Sequence, residues 1–127
     1  MQITTVAWAV PAGADDTPAK AGSERALLAL LVLNILLQVF DGLATYLGLH
    51  AGFPEGNPIV AWGIEHLGPA AALALFKLEA CACLVLLWWL GSRSTVAVPA
   101  LAAAAAIYAI ASVLPWSTAL SGTTFAF

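Results

Sequence analysis

The sequence predicts an all-α integral membrane protein with about three transmembrane helices and a short interfacial or re-entrant helix between the first and second. Apolar residues make up 62% of the chain and charged residues 9%, and mean hydropathy is +0.96. Soluble domains are about half apolar and about a quarter charged. Three apolar stretches reach the ~20 residues that a spanning helix needs, and 127 residues leave no room for a separate soluble domain. The net charge of −3 comes from scattered residues. No charge run would attract nucleic acid or an anionic membrane surface, which argues against nucleic-acid binding.

Residues 1–25 read as a polar, Pro- and Gly-containing cytoplasmic tail, ending in Asp15, Asp16, Lys20 and Arg25. It has neither the basic start nor the long apolar core of a signal peptide, so it is expected to be retained. Residues 26–127 form the single transmembrane domain. Its first span, about 26–49, begins apolar on every face. The second, about 69–90, carries Trp88 and Trp89 near its end, where indoles favour the headgroup level. The third, about 98–116, holds the run Ala102 to Ala106, whose small side chains permit close approach of another helix.

Between the first two spans, Pro54, Gly56, Pro58 and Gly68 break the chain too often for a crossing. Asn57 before Pro58 suits an N-cap and first helical residue, and Ile59 to Ile64 is apolar. The segment 57–67 is therefore expected to be an interfacial or re-entrant helix. Lys20, Arg25 and Arg93 flank the spans on one side, while residues 50–68 contain no Lys or Arg. The positive-inside rule places the N-terminus in the cytoplasm. The C-terminus then lies in the periplasm or outside, in a multi-pass protein of the cell's inner or cytoplasmic membrane.

Polar residues inside the first span carry most of the functional information. Asn34, Gln38, Asp41 and Thr45 are spaced i, i+4, i+7 and i+11, which confines them to a stripe of about 60° on a helix turning about 100° per residue. With no water in the bilayer core, that stripe must meet another helix, a cavity or a ligand. Asp41 and Lys77 each lie roughly 10–12 Å inside the same membrane face, counted at 1.5 Å per residue. An Asp41–Lys77 ion pair is thus available, with Tyr108 of the third span expected to hydrogen-bond into the same layer. Gln38 and Glu79 form a deeper candidate layer. Glu79 is two residues from Lys77 and points elsewhere on the helix, where it would be protonated or paired with another chain. Glu55 and Asn57 complete the candidate polar network.

Other chemistry has little support. Cys81 and Cys83 sit at i and i+2 on a helix, facing nearly opposite sides, and read as packing residues. His50 and His66 fall near the membrane surface and read as solvated side chains, so no metal or catalytic site is expected, and no cofactor is indicated. No phosphate loop, nucleophile elbow or metalloprotease signature is present.

The ordered set Asn34-x3-Gln38-x2-Asp41-x3-Thr45-x2-Gly48-Leu49, Glu55-x-Asn57-Pro58 and Leu75-Phe76-Lys77 resembles a family of small bacterial and archaeal membrane proteins known only as a domain of unknown function. The resemblance covers roughly residues 33–90, and Ile59 stands where Leu or Met is commoner. It implies a polytopic helical membrane protein and no activity.

The expected function is that of a non-enzymatic membrane subunit, embedded in lipid and docked onto other membrane subunits or further copies of itself. Small size and the polyalanine face motivate that reading. The alternative is a small oligomeric transporter of ions, protons or solutes, with Asp41, Lys77 and Glu55 on its path. An intramembrane acid–base enzyme using Asp41 and Glu55 is weaker, since about 20 Å of helix and loop separates them if extended.

Overall fold

The computed structural model describes residues 18–91 and 95–122, and every described element is helical. Helix α1 spans Pro18–His50, α2 Pro58–Leu67, α3 Pro69–Gly91 and α4 Ala97–Tyr108. A π-helical turn, Ala109–Val113, joins α4 to α5, Leu114–Ser121. Three stretches are long and apolar enough to cross a membrane: Lys20–His50, Pro69–Gly91 and Ala97–Ser121. The chain is thus a multi-pass helical membrane protein.

Two boundaries differ from the sequence expectation. Helix α1 starts at Pro18 rather than Ala26, because Lys20, Glu24 and Arg25 propagate a helix well even though they are too polar to be counted in a span. The third helix continues past Trp116 to Ser121. Residues 1–17 and Arg93, which carried the tail and part of the orientation argument, lie outside the described residues.

Helix α1 is the central element and packs against both α3 and α4. The half of the bundle around the start of α1 is closed by an apolar core of Leu27, Leu31, Leu84, Ala97 and Leu101. Gly91 makes that closure possible, since the methyl group of Ala97 occupies the place a side chain would take. Helix α2 doubles back onto the beginning of α3. Its buried Gly63 faces Phe76, and an added Cβ would come 2.7 Å from that ring. Gly68, at φ 81°, makes the reversal in a backbone region that favours glycine.

The other half of the bundle is polar inside. Asn34, Gln38, Thr45 and Ser112 are all buried. Most large apolar side chains, among them Leu36, Leu43, Leu78 and Ile110, point outward instead. A soluble protein inverts that pattern, whereas here lipid covers the apolar exterior.

Candidate functional site

The polar residues converge on one layer because three helices present them at matching depth. Asp41 is nine residues before His50, Lys77 eight after Pro69, and Ser112 nine before Ser121, each about 12–14 Å from its helix end. Lys77 Nζ forms an ion pair with Asp41 Oδ2, and the Ser112 hydroxyl donates to Asp41 Oδ1. The ammonium also donates to Gln38 Oε1 at 3.3 Å. Gly42 lets the lysine stem lie against α1, since an added Cβ would be 3.3 Å from Lys77 Cγ. One carboxylate thus ties α1 to both α3 and the π turn.

Asn34 fastens the next layer. Its side-chain amide donates to the Leu30 carbonyl at 2.8 Å and to the Leu101 carbonyl of α4 at 2.9 Å. Asn34 Oδ1 and Gln38 Nε2 are buried without partners. One is an acceptor and the other a donor, a turn apart on the same face of α1.

Two expectations are corrected at this level. Tyr108 contributes its ring rather than a hydrogen bond: Lys77 Nζ lies 6.0 Å from the ring centroid, and Ser112 supplies the hydroxyl. The Gln38–Glu79 layer does not form, because Gln38 is turned to Lys77 while Glu79 is exposed on the outside of α3.

Ser112 escaped sequence reading as a lone hydroxyl in an alanine-rich span. Pro115 was the available signal. Proline has no N–H and its ring clashes with the carbonyl four residues back, here Ala111, within the turn that adopts π geometry. Such turns are frequent at functional sites.

Above the Asp41 layer is a cavity of about 430 Å³. Asp41, Thr45, Lys77 and Ser112 line its base, and Glu55, Gly56 and Asn57 border it from the α1–α2 connection. Phe76, Tyr108 and Trp116 contribute aromatic walls. Glu55 Oε1 accepts from the Asn57 backbone N–H at 2.8 Å, and Asn57 Oδ1 caps α2 through Ile59 N–H at 3.0 Å. The Glu-x-Asn-Pro sequence therefore shapes the rim of the cavity and begins α2 in one device.

Trp116 closes the side of this rim. Its indole covers Gly48, where no side chain would fit, and it meets the Phe53 ring edge-on at a centroid distance of 6.4 Å. His50 and His66 stand apart, exposed, each donating from Nδ1 to the carbonyl one turn back, on Tyr46 and Trp62. Among the described residues no group of three His, Cys, Asp or Glu side chains could hold a metal.

The family model of the domain of unknown function DUF5658 matches residues 30–118, a stretch that contains every residue of this cavity. The chain belongs to the DUF5658 family. No curated protein and no solved structure matches it. The cavity of this DUF5658 protein combines an ion pair between two spanning helices with a second carboxylate on the α1–α2 connection, around a space of small-molecule size.

Proposed function

We propose that the protein is a membrane-embedded solute-binding protein, the binding unit of a small oligomeric transporter or receptor. The exposure of the Asp41–Lys77 pair carries this reading. A pair that only fixed helix register needs no opening to a cavity, yet 17% of the Asp41 side chain remains accessible, and both residues line one. Intramembrane ionisable groups that face a cavity typically mark solute or ion pathways. The cavity is bordered by residues 55–57, and the lack of Lys and Arg in residues 50–68 supports an opening to the periplasmic or outer side.

Thiol accessibility tests this reading. In a Cys81→Ala/Cys83→Ala background, Ala111→Cys, at an exposed position of the cavity lining, should react with a membrane-impermeant methanethiosulfonate added from outside, and Asp41→Asn should fold but lose solute binding. An inert Ala111→Cys, together with an Asp41→Asn variant that only melts earlier, would make the pair a structural lock.

A second reading concerns assembly. Only 22%, 17% and 22% of the best windows of the three spans are buried, and Ala102, Ala103 and Ala106 are exposed on α4. These faces suit docking against further copies or other membrane subunits, in which the chain would serve as a non-enzymatic component. Sizing in mild detergent tests it: a lone monomer under all gentle conditions would reject this second reading.

A further inference from the structure

We propose that the cavity takes a small organic ammonium ion. This rests on the binding reading above and adds a charge and a chemical class to it.

Charge balance is the first support. Asp41 and Lys77 neutralise each other, while Glu55 is held only by the Asn57 N–H and has no ion pair among the described residues. The cavity thus carries one uncompensated negative charge at its rim. A neutral solute would leave that carboxylate unpaired, whereas a cation gains a direct charge contact with it. An anion would meet two carboxylates and an ammonium that is already engaged.

The walls narrow the class further. Phe76, Tyr108 and Trp116 surround the space above Asp41, and aromatic faces attract cations through their ring quadrupoles, most strongly where water is displaced. Tyr108 already has one ammonium, that of Lys77, 6.0 Å from its centroid. A bare metal ion would instead draw on several converging charged ligands, and no group of three His, Cys, Asp or Glu side chains among the described residues could hold one. A volume of about 430 Å³ accepts an alkylammonium with room for a polar substituent, which Thr45 or Ser112 can reach at the base.

Binding calorimetry on the full chain in lipid nanodiscs, with empty nanodiscs subtracted, provides the test. The probes are choline, its uncharged isostere 3,3-dimethyl-1-butanol, and acetate. Choline should bind saturably, and the isostere more weakly by about tenfold or more, the factor expected from a desolvated cation–π and carboxylate contact. Acetate should not bind. Glu55→Gln keeps an oxygen for the Asn57 N–H and so preserves the rim, yet should weaken choline binding by a similar factor. Absence of choline binding, equal affinity for the isostere, or a choline affinity unmoved by Glu55→Gln would overturn the proposal. The accessibility of Ala111→Cys separates the two failures. If that thiol reacts while choline does not bind, the ammonium class is wrong and the binding cavity stands; if it is inert, both readings fall.

Discussion

Asn34 on α1 donates a side-chain hydrogen bond to the Leu101 carbonyl of α4, 67 residues away and fully buried. The contact joins the apolar half of the bundle, where Leu101 is a core residue, to the polar half that begins at Gln38. It involves no cavity-lining group, so its role is separable from binding. Asn34→Leu should lower unfolding stability by about 1–2 kcal/mol, the range of interhelical hydrogen bonds in membranes. The measurement is unfolding in mixed micelles, and reactivity of Ala111→Cys in the same background should be unchanged.

Asp41 and Lys77 should behave as a coupled pair. Asp41→Asn leaves an ammonium inside the bundle, and Lys77→Met leaves a carboxylate. Each should cost about 1–3 kcal/mol, less than the ~3–5 of a fully buried pair, because both side chains touch the cavity. The double variant should recover much of that loss, giving a coupling energy of about 1 kcal/mol or more, while binding stays absent. Recovery of stability without recovery of binding is the signature that distinguishes a site from a lock.

How much of this was readable in the sequence follows from what a bilayer makes visible. The stripe of Asn34, Gln38, Asp41 and Thr45 stood out because polar groups are rare in a span, and their spacing fixed one face of α1. The common depth of Asp41 and Lys77 followed from counting helical rise. Rotation of α3 was readable only through Lys77: once that residue faces Asp41, Glu79 two positions on points away, and it is exposed. The turn of Gln38 toward Lys77 emerged only from packing, since α3 is otherwise nearly uniformly apolar and lipid supplies no polar contrast. Ser112 was hidden for a related reason: the π turn rotates it relative to a regular helix, and a 3.6-residue count cannot anticipate that.

Gly48 should tolerate no side chain while Trp116 is present. The indole of Trp116 lies directly on the Gly48 backbone. Gly48→Ala should therefore destabilise by about 1–3 kcal/mol, the usual cost of overpacking. Adding Trp116→Ala should remove most of that penalty, and thermal melts of the two single variants and the double variant provide the check. Phe53 loses its ring partner when Trp116 is removed, so the double variant should also open the rim and speed thiol labelling of Ala111→Cys.

Pro115 and Ser112 supply the sharpest structural test. If the proline sustains the π turn, Pro115→Ala should let α4 and α5 run on as one regular α-helix. A π turn contains one residue more than an α turn, so its removal rotates the following positions by about 100° relative to the preceding ones. Ser112 would then no longer meet both the Asp41 carboxylate and the register set by α4. The expected outcome is that Ser112→Ala, which removes the hydroxyl's bond to Asp41, costs about 1–2 kcal/mol with Pro115 in place and close to nothing in the Pro115→Ala background, as read from unfolding in mixed micelles, although the helix itself is stabilised by about 3 kcal/mol of intrinsic propensity. An unchanged cost would mean that the π turn is held by the Asp41 contact rather than by the proline. In that case Asp41→Ala, not Pro115→Ala, should regularise the helix.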